Sequence, residues 1–158
     1  MFNELEFWKL CFLIDYFVKI RELIRKSMSK PVEIDSSIRT VEWKDNKVIM
    51  IEQTKLPNEL IFVEYDDFNQ VANAIKTLIV RGAPAIGVSG AFGLGLAVLQ
   101  SKATTKDELL SDLEDARKIL FATRPTAVNL GWGLEKIMNV AKTGETVEQI
   151  KELVISTA

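Results

Sequence analysis

The chain has 158 residues, 20 Lys+Arg against 22 Asp+Glu, and a formal net charge of -2. That length makes one domain, or one domain with an appendage, and 47% apolar with 27% charged residues is the balance of an ordinary globular chain rather than a disordered one. The chain contains no histidine, which removes imidazole metal sites, Ser-His triads and imidazole acid–base chemistry. Its single cysteine, Cys11, excludes an intrachain disulfide and a cysteine-cluster zinc site, and fits a reducing, cytoplasmic setting. With no excess of cations to attract a polyphosphate, nucleic acid is not expected as a partner.

Residues 1–30 are rich in large apolar side chains but are broken by Glu4, Glu6, Lys9, Asp15 and Lys19. The uncharged run 10–14 is far short of the roughly 20 residues a membrane span takes, and an acidic start is unlike a secretory signal. No membrane association is expected. Phe7, Leu10, Ile14, Phe17 and Ile24 can form one apolar side of a helix that docks on the body of the protein or on a partner. The alternative is that Met28 is the natural start and the preceding residues are an upstream extension. The expected division is therefore an N-terminal extension, 1–30, and a domain, 31–158.

The domain reads as strands followed by helices. Segments 38–43 and 47–53 are β-branched and apolar, separated by Lys44-Asp45-Asn46, so they predict a tight hairpin. Pro57-Asn58 marks a loop, and 61–65 predicts a third short strand. From Asp66 the period changes: Phe68, Val71, Ile75 and Leu78 predict an amphipathic helix running to about Val80, with Asp67 and Gln70 at capping-box spacing. Four more helices follow. Segment 84–99 is apolar almost throughout and is expected to be the buried one. Thr105 and Glu108 predict the start of the next, with Leu110, Leu113 and Leu120 as its stripe. Segment 125–141 predicts a helix with Pro125 in its first turn and Gly144 beyond its end. Thr146 and Gln149 open the last. Strands first and helices after predict an α+β fold, and the absence of a stop signal near Ala158 suggests the N-terminal domain of a larger protein, truncated at its C-terminal end.

Two stretches carry candidate chemistry. In Arg81-Gly82-Ala83-Pro84 a helix is about to begin, and a helix start leaves about four backbone N–H groups unpaired at the positive end of the peptide dipoles. Gly82 and Ala83 let an anion approach that backbone, and Arg81 adds a fork of donors suited to phosphate. A plain helix–helix turn, with glycine as a C-cap and proline at the first helical position, accounts for the same residues. Arg124-Pro125-Thr126-Ala127-Val128-Asn129 repeats the logic, with an ordinary cap again the alternative. Gly87, Gly90, Gly93 and Gly95 cost about 0.5–1 kcal/mol each in a helix, a loss that close packing against neighbouring helices would offset better than ligand contact. Trp8, Trp43 and Trp132 read as packing residues. Asp66 and Asp67 read as caps rather than metal ligands, and no metal site or acid–base pair stands out.

Taken together, IRTVEW (38–43), IEQTKLP (51–57), RGAPAIG (81–87) and RPTAVNL (124–130) resemble the N-terminal part of the methylthioribose-1-phosphate isomerases, over about residues 31–158. The resemblance implies aldose–ketose isomerisation of 5-methylthioribose 1-phosphate in methionine salvage, without a redox cofactor, by a homodimer. It implies a small N-terminal α+β domain and a Rossmann-like C-terminal domain, absent here, with the substrate between them. Arg81, Gly82, Ala83 and Arg124 match the family's substrate-binding positions. The family's catalytic cysteine and aspartate match no position in this chain, so no catalytic residue is assigned and the chain alone is expected to be inactive. Two other readings stay open: a regulatory subunit of the initiation factor 2B type, and an isomerase of a related pentose or deoxypentose 1-phosphate.

Overall fold

The computed structural model describes residues 38–158; the extension 1–30 and Cys11 lie outside the described residues. Strands β1 (Val41–Lys44), β2 (Lys47–Ile51) and β3 (Phe62–Tyr65) form an antiparallel sheet in that order. Helices α1 (Phe68–Lys76), α2 (Ala83–Gln100), α3 (Lys106–Thr123), α4 (Val128–Thr143) and α5 (Val147–Thr157) follow. The expected α+β order of a hairpin, a third strand and five helices is what forms.

The hairpin turns on Asp45 and Asn46, both with positive φ (52° and 59°), the backbone that matches the right-handed twist of the flanking strands. This fixes Lys44 opposite Lys47 and Val41 opposite Met50. Val48 and Met50 then point the same way and are fully buried, while Lys47 reaches Glu64 on β3 at 3.0 Å. Trp43 packs at an angle on Phe92 of α2, ring centroids 5.7 Å apart, so its expected packing role holds.

Helix α1 is shorter than its apolar period predicts. It ends at Lys76, and Leu78 takes a left-handed backbone (φ 62°). The N–H of Ile79 donates to Ala74 O (3.0 Å) and that of Leu78 to Ile75 O (3.3 Å), the paired bonds that close a helix after a left-handed residue. Glycine usually fills that position; leucine here hides the stop from the sequence. The start is as expected, with Asp67 and Gln70 forming a reciprocal capping box. In α3 the inward stripe is Leu109, Leu113, Ala116 and Leu120, and the expected Leu110 is only half-buried. Glu108 closes that helix's capping box, and hydrogen bonds from the N–H groups of Thr104 and Thr105 hold its carboxyl below the usual carboxylate range.

Helix α2 is the centre of the helical layer and touches the other four helices as well as β1 and β2. Among the described residues it is the one helix long and apolar enough to cross a membrane, but most of it is buried in the fold. A helix surrounded on every side needs apolar residues all round, and its one buried polar side chain, Ser89, donates to Ala85 O at 2.8 Å. Its glycines are packing residues. A Cβ at Gly87 would stand 2.8 Å from the backbone oxygen of Asn129, and one at Gly133 of α4 would stand 2.5 Å from the backbone oxygen of Gly87. A Cβ at Gly90 would meet Leu130, and one at Gly93 would meet Leu120. The two backbones of α2 and α4 therefore touch at a crossing that admits no side chain.

This crossing yields a stability test. Gly133→Ala should destabilise the fold by about 1–3 kcal/mol, the cost of overpacking a close contact. Gly131→Ala, on the same helix, meets only Phe121 at 3.4 Å and should be neutral or stabilising by about 0.5–1 kcal/mol. Paired urea or thermal melts of the two variants check this; equal effects would place the α2–α4 contact elsewhere.

Candidate functional site

The crossing at Gly87 and Gly133 lies near the N-terminal ends of both α2 and α4, so the beginnings of the two helices stand side by side. Between them is a cavity of about 400 Å³, lined by Gly82, Ala83 and Ile86 from the start of α2, and by Arg124, Thr126, Ala127, Val128 and Asn129. Three of the four residues read from the sequence as binding residues thus reach one cavity.

The first turns of these two helices differ from the others. Helices α1, α3 and α5 are capped by the side chains of Asp67, Thr105 and Thr146, each accepting a backbone N–H of the first turn. Helices α2 and α4 begin at Gly82 and Ala127, and neither has a side-chain cap. Helix-start amides that no side chain occupies are donors for an anion, and the peptide dipoles favour negative charge at the same place. Gly82 has φ 95° and ψ 132°, a conformation that glycine tolerates and that would cost another residue about 1–3 kcal/mol.

Arg124 is placed differently from the expectation. Segment 125–141 does not begin a helix at Pro125. Arg124 instead ends α3, and residues 124–127 form a turn closed by Ala127 N–H to Arg124 O at 3.0 Å, with Pro125 at the position whose fixed φ suits such a turn. Helix α4 starts only at Val128. The turn carries Arg124, a half-buried residue, to the wall of the cavity between the two helix starts. Arg81 is exposed and does not line the cavity; its Nε donates to Leu78 O at 3.2 Å, bracing the corner after α1.

A second, mostly apolar cavity of about 230 Å³ lies on the other side of Asn129, which lines both. Val88, Ala91, Trp132 and Ile137 are among its walls. Trp132 was expected to be a packing residue; it is 67% exposed, with the Lys136 ammonium 5.5 Å from its ring centre. The signal was there: Leu130, Leu134, Ile137 and Ala141 form the buried stripe of α4, and Trp132 falls off it. Among the described residues no cluster of three metal-ligating side chains occurs.

The pattern of the initiation factor 2 subunit family matches residues 79–158, which hold the whole of α2 to α5 and both arginines. The chain belongs to the initiation factor 2 subunit family. It is 44% identical over 124 residues to the methylthioribose-1-phosphate isomerase of Geobacter metallireducens, covering 77% of this chain and 36% of that protein. It is 51% identical over 105 residues to the one from Citrifermentans bemidjiense, covering 66% and 30%. Of solved structures, the 5-methylthioribose 1-phosphate isomerase of Pyrococcus horikoshii superposes with a TM-score of 0.74 at 42% identity, covering 82% of this chain and 37% of that one. The delta subunit of the translation initiation factor eIF-2B from A. fulgidus superposes with a TM-score of 0.72 at 44% identity, covering 77% and 35%. The chain spans about a third of the length of these relatives. The resemblance read from the four motifs holds.

The cavity makes a binding prediction. Arg124→Lys keeps the charge but loses the planar fork. A charge-assisted hydrogen bond is worth roughly 1.5–3 kcal/mol, so affinity for ribose 1-phosphate, measured by calorimetry, should fall about tenfold or more. An unchanged affinity would remove Arg124 from the site.

Proposed function

We propose that this chain is the sugar-phosphate-holding part of a methylthioribose-1-phosphate isomerase. The observation that carries this reading is the meeting of two helix starts without side-chain caps and Arg124 at one cavity. The isomerase relatives support it at 44% identity over 124 residues and 51% over 105.

The chemistry suits the division of labour. The substrate carries phosphate on its anomeric oxygen, which blocks the easy ring opening of a free aldose. The reaction must hold the dianion, protonate the ring oxygen, and move hydrogen between C1 and C2. The first task takes backbone N–H donors and a guanidinium, fixed in advance so that they need no rearrangement. Gly82 admits the anion to the backbone, the first turns of α2 and α4 present amides, and Arg124 supplies the countercharge. Arg81 joins them in this reading if its bond to the Leu78 carbonyl gives way to the phosphate. The other tasks need an acid–base pair in a dry cleft. The chain has no histidine; among its described acidic residues Asp67 and Glu108 close capping boxes and Glu114 pairs with Arg117. In this reading the acid–base groups come from outside this chain, in a homodimeric full-length enzyme.

The likeness to the A. fulgidus eIF-2B delta subunit supports a second reading, a subunit of the initiation factor 2B type; in it the same cavity would hold a sugar phosphate without converting it. A chimaera separates the two. Residues 38–158 replace the matching segment of the Geobacter metallireducens isomerase, and the product is assayed with 5-methylthioribose 1-phosphate. The isomerase reading expects turnover by the chimaera and binding without turnover by the chain alone. A folded chimaera that binds the sugar phosphate and does not convert it favours the regulatory reading. Turnover by the chain alone would overturn the assignment of catalysis to groups outside it.

A further inference from the structure

The four glycines of α2 do not meet the same kind of neighbour. A Cβ at Gly90 would meet a methyl group of Leu130, one at Gly93 a methyl group of Leu120, and one at Gly95 the ring of Trp43. Leucine methyl groups yield by a small change of side-chain torsion. Gly87 and Gly133 meet backbone: the added carbon would stand 2.8 Å from Asn129 O in the first case and 2.5 Å from Gly87 O in the second. A helical carbonyl moves only with its helix. A carbon and a carbonyl oxygen rest about 3.3 Å apart or more, so an alanine at either position would part the two helices by roughly half an ångström or more. The place where they would part is the candidate site. Gly87 directly follows Ile86, and Asn129 is the second residue of α4; Ile86 and Asn129 both line the cavity between the helix starts.

We propose that Gly87 and Gly133 are positioning residues of this cavity: their contact sets the distance between the two helix starts, and with it how well both can hold one anion. Neither glycine lines the cavity. Each acts through the backbone that it lets approach. Hydrogen bonds weaken once donor and acceptor separate beyond about 3.2 Å, so an anion that fits between the starts cannot keep both sets of amides when they part. One charge-assisted bond lost in this way lowers affinity about tenfold or more. The positive ends of two helices also repel each other, so the approach has to be held by packing, and the backbone contact at the glycines is what holds it. The inference rests on the sugar-phosphate reading above and adds to it what fixes the width of the site.

The test compares overpacking at the crossing with overpacking elsewhere on α2. Gly87→Ala, Gly133→Ala and Gly93→Ala are made in the full chain, and circular dichroism follows their folding. Affinity for ribose 1-phosphate is measured by calorimetry in sucrose, which favours the folded state. Both crossing variants should lose about tenfold or more. Gly93→Ala, which presses on Leu120 of α3, should bind as the wild type does. Competition by phosphate and by tungstate, a larger tetrahedral dianion, reads the width. The crossing variants should shift the preference towards tungstate, whereas a general loss of structure would leave it in place. Wild-type affinity in both crossing variants, an equal loss in Gly93→Ala, an unmoved preference between the two anions, or crossing variants that do not fold in sucrose would each overturn this inference. If ribose 1-phosphate binds the wild type and Arg124→Lys weakens it, the sugar-phosphate reading stands whatever the crossing variants do. If the wild type does not bind ribose 1-phosphate, both fail.

Discussion

Everything that positions the candidate site depends on the contact between α2 and α4. At Gly87 and Gly133 each backbone occupies the space where the other's side chain would be. Helices that cross at this distance, near their N-terminal ends, bring their two positive ends together. That is electrostatically unfavourable unless something negative lies between them. The sequence accepts the helix-propensity cost of several glycines to make the crossing, and leaves the two helix starts at this point without side-chain caps. The glycines that let the core close are thus also what brings the two sets of helix-start amides to one place.

Much of this was legible in the residues. The hairpin at Asp45-Asn46, the capping boxes at Asp67 and Thr105, and the burial of α2 followed from turn chemistry, capping chemistry and hydrophobic period, which are local properties. What was not legible depended on contacts distant in sequence or on a residue in an unusual backbone. Leu78 stops α1 in a conformation that glycine normally signals, so the apolar period ran on past the true end. Pro125 read as a helix start because proline favours both a first helical turn and the second position of a β-turn, and only the bond from Ala127 to Arg124 decides between them. The candidate residues divide the same way. Gly82, Ala83 and Arg124 were singled out from what helix starts and guanidinium groups can bind, yet their convergence on one cavity is a fact of tertiary structure. Arg81 had the same chemistry in sequence and points its Nε at the Leu78 carbonyl.

The corner from Leu78 to Gly82 joins the sheet to the site. The backbone of Ile79 accepts a hydrogen bond from Gln53 N–H at 2.9 Å, just beyond β2, and the Leu78 carbonyl holds Arg81. The hairpin and its loop therefore fix where the chain leaves α1, and that exit sets where Gly82 starts α2. The small sheet contributes no residue to either cavity at the α2–α4 crossing. Its part is to hold the approach to α2 in place.

The bare start of α4 has a consequence for anyone who would stabilise this protein. The usual improvement at position 127 is a serine or aspartate, which would accept the first-turn amides and gain roughly 1 kcal/mol. An aspartate there would also be a tethered carboxylate beside Arg124, a permanent competitor for any anion arriving from solution. At this helix start a gain in thermal robustness would come at the expense of the anion binding proposed for it, because the alanine that stands there leaves the first-turn amides without a side-chain cap.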